Sequence, residues 1–450
     1  MKSYISALVF CLFIGQNSLA ADYYVDCDHT GSSVGTEANP FQALQQAFNA
    51  VSAGQVIEVM NGVCQGPRPG GIGEIARLTT AGSPGAPIVI RNYPGHSPQV
   101  GAWPARTDEQ YGIMIIAPSR HVRIEGLTFR GMVSSCLWIE NLGSTGDIEI
   151  IGNDFDGCGK GQITNTDAGG KTAVFIGRYV DGTLFERNVF RNTGRVWTAE
   201  CDAEGHANCH QYRHDHAIYA KGKGHVIRNN LFYNNAHGYG IKMDGHGFGV
   251  LPAGEFSHTI VNNTFGPNTS RQPWDGYQGQ PITLFINPEN PDKPRFYIAN
   301  NVFVQPNNSG SNPPDKSVVS MNSGFPSGSY TTPLSGNFCV NNIVIESTAI
   351  TDKVCNEGIG SYSSWITTSN NLLNADFADL DFADPGNYNY RIGANSAAIG
   401  HGLASIAPQV DFDGNIRDLL SGSVDAGAFE SGTGSYIAQP EPPVMMTSGN

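Results

Sequence analysis

Short apolar runs with strand-like alternation recur from about residue 85 to residue 400. Examples are Ile88-Val89-Ile90, Val122-Arg123-Ile124, Ile148-Glu149-Ile150, His225-Val226-Ile227 and Phe296-Tyr297-Ile298, separated by Gly, Asn and Pro. A period of two over so few residues predicts strands, not helices. An Asn-x-Phe phrase keeps returning between these runs: Asn153-Asp154-Phe155, Asn188-Val189-Phe190, Asn230-Leu231-Phe232, Asn263-Thr264-Phe265 and Asn301-Val302-Phe303. Looser copies are Gly126-Leu127-Thr128-Phe129, Asn342-Ile343-Val344 and Asn371-Leu372-Leu373. From Phe129 onward the Phe-to-Phe intervals are 26, 35, 42, 33 and 38 residues, so each reads as one coil of strands plus a variable insertion. A unit that cannot bury its own apolar face must stack on its neighbours, and the stack is a solenoid. The recurring asparagines are expected at tight bends, in left-handed conformations, with amides bonding adjacent coils.

The two ends of the chain depart from this rhythm. Lys2, the apolar stretch Ala7 to Gly15 and Ser18-Leu19-Ala20 have the order of a signal peptide cleaved after about Ala20. That stretch is too short to span a membrane as a helix, so the mature protein is expected to be secreted or periplasmic. Asp22 to Asp26 reads as a strand, Phe41 to Val51 as a short capping helix, and Gln55 to Val59 as the first coil. A cap of this kind shields an otherwise open sheet edge. Residues 410–430 form a distinct ending, and 432–450 a disordered tail. One capped domain over 21–431 is expected.

Composition narrows the class. With 55 Gly, 26 Pro and only 15% charged residues in 450, the chain fits a turn-rich β protein. Its formal charge of -14 disfavours nucleic acid and anionic membrane as partners, and a monomer is expected. Beyond Cys11, eight cysteines remain, and proximity pairs them as Cys27–Cys64, Cys136–Cys158, Cys201–Cys209 and Cys339–Cys355.

The opening Tyr23-Tyr24-Val25, Gly35-Thr36, Asn39-Pro40-Phe41 and Asn61-Gly62, the coil phrase, and the closing Asp413-Gly414, Arg417 and Asp425-Ala426-Gly427-Ala428-Phe429-Glu430 together carry a resemblance. The chain is similar to secreted right-handed parallel β-helix proteins of the pectate-lyase-like superfamily, which includes alginate lyases, chondroitinase B and mannuronan epimerases. The resemblance covers nearly the whole mature chain. It implies an all-β, single-stranded right-handed parallel β-helix with a short N-terminal capping helix. Lyases, hydrolases, epimerases and adhesins share that fold, so the chemistry must come from the site.

Seven of the twelve histidines (206, 210, 214, 216, 225, 237 and 246) fall within 41 residues, among Arg213, Lys221, Lys223 and Lys242. Strand alternation sorts them. With Ile218 and Ala220 inward, Asp215, Ala217, Tyr219 and Lys221 face out. Setting Ile218 beside Ile241 places Lys242 next to Tyr219 and Asp244 next to Lys221. The same parity brings out Trp138 and Glu140, then Phe175 with Arg178 at the bend, then Phe285 and Asn287. An outward stripe of aromatics and charges suits an anionic polysaccharide, with ring faces on pyranose C–H surfaces and cations on carboxylates. Lys223, Asp244 and His246 complete the candidate binding set.

Such a set points to β-elimination on a uronic-acid polymer. The C5 proton is acidic only when the adjacent carboxylate is neutralised, and a lysine among other cations can serve as base. The candidates are Lys242 or Lys221 as base, Arg213 with His214 as carboxylate neutraliser, and Tyr219 or His216 as acid to O4. No cofactor is required by this scheme. Calcium stays open, since Asp215, Asp244 and Glu140 offer oxygen donors without a loop signature. His216 has inward parity, and His210, His214 and His216 at alternate positions are a competing metal reading. The alternatives are a hydrolase working with a carboxylate pair, a C5-epimerase, and a non-catalytic adhesin.

Overall fold

A computed structural model describes residues 20–140, 145–160, 170–195, 214–235, 238–244, 258–267, 281–286, 296–304, 318–323, 337–345, 355–357 and 366–432. Three parallel sheets run its length as a right-handed parallel β-helix. Among the described residues one sheet has eleven strands, Tyr23–Val25 to Ile366–Ser369, and another has ten, Val63–Cys64 to Leu372–Ala375. The third has nine, from Glu74–Leu78 to Cys355–Glu357. Each coil visits the eleven-stranded, ten-stranded and nine-stranded sheets in turn, so every strand pairs with its counterpart one coil away.

The interior follows from the phrase. Phe129, Phe155, Phe190, Phe232, Phe265 and Phe303 stack inside the ten-stranded sheet at centroid spacings of 4.7 to 5.0 Å, with interplanar angles no greater than 16°. Those spacings match the separation of neighbouring strands, so the backbone itself sets the ring stacking. All six rings are buried, each worth about 1.5–3 kcal/mol of transfer from water.

Beside the rings runs the asparagine column. The N–H of Asn188 donates to Oδ1 of Asn230 at 2.9 Å, and the N–H of Asn230 donates to Oδ1 of Asn263 at 2.9 Å. The pattern continues through Asn301 and Asn342 to Asn371. These asparagines bond adjacent coils as expected, but they are not the left-handed residues. The residue before each one is: Gly152, Arg187, Asn229, Asn262, Asn300, Asn341 and Asn370 all have positive φ. The tight bend therefore falls one position earlier, which frees the phrase asparagine to point into the core.

That shift explains the doublets Asn229-Asn230, Asn262-Asn263, Asn300-Asn301 and Asn341-Asn342. The first member turns outward and receives the distinct ending. Side-chain amides of Asn229, Asn262, Asn300 and Asn341 donate to the carbonyls of Val410, Asp425, Leu403 and His401. Arg417, buried, donates to Oδ1 of Asn229 at 3.1 Å and pairs with Glu430. Tyr390, Phe412 and Phe429 pack on Val189, Leu231 and Val302, so the ending folds back along the outside of the ten-stranded sheet.

At the opposite end the helix is Leu44–Ala50, three residues shorter at its start than the pattern predicted. Phe41 instead forms a parallel bridge with Val25, and its N–H donates to the Tyr24 carbonyl at 2.8 Å. The Cys27–Cys64, Cys136–Cys158 and Cys339–Cys355 disulfides form as paired by proximity. Cys201–Cys209, the leader up to Leu19 and the tail from 433 lie outside the described residues. No helix among the described residues is long and apolar enough to cross a membrane.

Candidate active site

The outward stripe lies on the nine-stranded sheet. Trp138 of the strand Ser135–Glu140 pairs with Phe175 of Thr172–Ile176, Phe175 with Tyr219 of His216–Ala220, and Tyr219 with Lys242 of Ile241–Asp244. Alternation alone brings these four side chains to one column. The column continues toward the N-terminal end through Met114 and Arg77, which the sequence reading missed. Their signals were present in the alternation of Tyr111-Gly112-Ile113-Met114-Ile115 and of Ala76-Arg77-Leu78.

In the other direction the register settles what parity left open. Lys242 pairs with Thr283, and Phe285 falls beside Asp244. Ile282 and Leu284 share the inward parity, so a period of two cannot distinguish registers two residues apart. The Phe285 side chain, together with Asn287, His246, Arg213, His210 and His206, lies outside the described residues.

Two lysines converge on one ring. Lys242 Nζ lies 4.5 Å from the Tyr219 centroid, and Lys221 Nζ lies 5.4 Å from it and 5.9 Å from that of Phe175. The Tyr219 hydroxyl donates to Asp244 Oδ2 at 2.6 Å. Burial foremost, with the charge of Lys221 adding to it, pulls the Lys242 ammonium below the ordinary lysine range against the opposing pull of Asp244. Burial and then the Asp244 carboxylate push the Tyr219 phenol well above its usual value. The exposed Arg178 guanidinium acts on Tyr219 in the opposite sense and so belongs to the same field.

The aromatics pack on one another. Trp138 and Phe175 stack on each other at 4.0 Å and 23°, Tyr111 meets Trp138 edge-on at 5.1 Å, and Phe175 meets Tyr219 edge-on at 5.5 Å. Trp138 Nε1–H is committed to Glu140 at 2.9 Å. Trp138 and Phe175 therefore turn one face each toward the other across adjacent coils. The stripe holds its lysines over a column of rings in mutual contact.

Burial corrects two expectations, and position a third. Asp215 is 2% exposed and Ala217, also expected outward, is 1% exposed, so outward parity exposes neither residue. The Asp215 carboxylate forms an ion pair with Arg195 at 2.6 Å with both side chains fully buried. It is therefore not an exposed calcium donor. His216 is 1% exposed, and its Nδ1 accepts the Tyr239 N–H at 3.0 Å. Burial foremost, then the Lys242 charge, depresses its pKa well below the usual histidine value. A buried neutral imidazole is not placed to protonate O4. Lys223 stands at a bend where its ammonium is 4.0 Å from Asp181, apart from the stripe.

His214 stays near the cluster, its ring edge-on to His216 at 6.5 Å. Glu140, Asp215 and Asp244 do not converge, and among the described residues no three His, Cys, Asp or Glu side chains are grouped to hold a metal. The three-donor calcium set does not fit.

No protein-family model matches the chain, and no curated protein does. Solved structures do. A pectate lyase, Pel9A, aligns with a TM-score of 0.52 at 15% identity, covering 92% of this chain and 98% of its own. A rhamnogalacturonan lyase aligns at 0.41 with 14% identity, covering 83% of this chain and 95% of its own. An alginate lyase from Paenibacillus sp. str. FPU-7 aligns at 0.34 with 11% identity, covering 74% and 95%. The pectate lyase shares the global β-helix. At these identities the likeness is one of fold.

Proposed function

We propose that the protein is an exported polysaccharide lyase that cleaves a uronic-acid-containing glycan by β-elimination on the outer face of the nine-stranded sheet. The observation that carries this reading is Lys242, half-buried beside a second lysine and packed over Tyr219, with its pKa lowered. A lysine whose charged form is disfavoured by burial and by a like charge is suited to be a base near neutral pH. Few structural roles for a lysine call for that combination.

In the reaction the neutral amine of Lys242 takes the C5 proton. The C4–O4 bond breaks, its electrons leave with O4, and a C4=C5 double bond forms. Lys221 and Arg178, with Arg213 and His214 from the sequence, bind the carboxylate and stabilise the charge that builds on it as C5–H breaks. The Tyr219 hydroxyl is committed to Asp244 and holds its proton, so O4 takes its proton, as it departs, from the Lys242 ammonium that the first step forms. Three disulfides and the leader sequence support action outside the cytosol.

The test is the ultraviolet absorbance of the unsaturated uronate while purified protein is incubated with a panel of acidic polysaccharides, with and without EDTA. A rise on one substrate identifies the glycan, and the EDTA arm reports any need for a divalent cation. Chain shortening without that absorbance would exclude elimination and favour hydrolysis.

A further inference from the structure

The strands carrying Phe175, Tyr219 and Lys242 meet at a buried polar node just before the sheet begins. Asp215 Oδ1 accepts the Lys171 N–H of the preceding coil at 2.9 Å, and Oδ2 accepts the Arg195 N–H at 2.9 Å. The Arg195 guanidinium closes on the same carboxylate, from Nε at 2.9 Å and Nη2 at 2.6 Å. One residue on, the His216 N–H donates to the Lys171 carbonyl, and its Nδ1 accepts from Tyr239 of the following coil. Three successive coils are thus fastened through residues 215 and 216.

The node is also tight. A Cβ on Gly238 would stand 1.6 Å from the Asp215 carbonyl oxygen, and one on Gly170 would stand 2.4 Å from that of His214. No side chain larger than hydrogen fits between these backbones at either point, so the coils approach each other through glycine on both sides of the node.

A fully buried ion pair is an inefficient source of stability, since apolar residues of equal volume commonly do as well or better. What it provides is direction, because the guanidinium fork fits a carboxylate in one plane. We infer that the Arg195–Asp215 pair, with His216, is a positioning device that sets where Tyr219, Lys221 and Lys242 emerge and where the chain re-enters the sheet at His216. The inference rests on the lyase reading of that site. None of the three residues touches substrate; each acts through the strand it holds.

The test compares wild type with two variants. Arg195→Lys keeps the charge and loses the fork. Arg195→Met with Asp215→Leu removes both charges and leaves no buried charge unpaired. Both are expected to fold, by circular dichroism and thermal melts. Their kcat is expected to fall about 10- to 100-fold with little change in KM, as for misplacement by a fraction of a turn. The pH midpoint of kcat is expected to move as well, because the setting of Lys242 changes, and a merely structural role would leave it fixed.

Folded variants with unchanged kcat and pH midpoint would overturn the inference. Failure of both variants to fold would make the pair a folding determinant and would equally overturn it. If wild type yields no unsaturated product on any glycan, the lyase reading falls by itself, and the same variants are then compared by affinity electrophoresis in the acidic polysaccharides. Weakened retention of folded variants would uphold the positioning role, and unchanged retention would overturn it too.

Discussion

Two aromatic columns run along the same axis, and they obey different rules. The inner one, Phe129 to Phe303, repeats one residue type with nearly parallel rings at almost constant spacing. The outer one, Met114, Trp138, Phe175 and Tyr219, changes residue at every coil, and its ring contacts, with Tyr111 edge-on to Trp138 from the Met114 strand, alternate between edge-on and stacked. It then gives way to Lys242. The inner column is what a solenoid needs wherever it occurs. The outer one departs from uniformity where two ammonium groups and a Tyr–Asp pair are gathered on one face, and the proposed site lies at that departure.

The largest expected effect sharpens this contrast. Lys242→Ala should lower kcat on the cognate glycan about 1000-fold, within the range for loss of a general base. Its melting temperature should stay near wild type, and binding should persist in affinity electrophoresis. A variant that keeps most of its turnover would remove Lys242 as the base.

Phe190→Ala should do the reverse. Emptying the middle of the inner column is expected to cost about 3–5 kcal/mol of unfolding free energy by denaturant titration. The specific activity of the molecules that remain folded should be normal. Asn230→Ala belongs to the same class, because it leaves buried backbone groups unpaired at about 1–3 kcal/mol each.

A smaller effect is expected at Lys221. Its charge helps to lower the Lys242 pKa, so Lys221→Met should favour the ammonium form of Lys242. The rising limb of kcat against pH should then shift to higher pH. A shift to lower pH, or none, would show that burial alone governs Lys242.

The smallest effect is on acid stability. His225 and His258 stack at 5.2 Å in the interior, and burial lowers both pKa values. Their unfolded-state value is about 6.5. A folded pKa below that value leaves stability complete above about pH 6.5 and diminishes it as pH falls toward the folded pKa. Melting temperature should therefore decline on acidification in wild type, and decline less in His258→Phe.

Much of this was legible in the chain. Alternation around Ile218 and Ile241 placed Tyr219 beside Lys242, since strand parity is a local property that insertions do not disturb. Parity brought Phe285 to the outer face without fixing its partner, because parity repeats every two residues; the folded register sets it beside Asp244. His216 had inward parity from the outset. Asp215 and Ala217 share outward parity but are buried, because parity gives the direction of a side chain and not what covers it.

Local sequence determined the solenoid, its inner rings, its asparagine column and the face on which the lysines emerge. Each of those follows from a short-range period that stacking simply multiplies. Three things were decided by the tertiary structure alone. They are the stacking of Trp138 on Phe175, the return of residues 401–430 along the outer asparagines, and the closure of Arg195 on Asp215. Each joins segments whose separation depends on insertions of variable length. No periodic pattern records such a distance, and only the folded backbone brings the partners within reach.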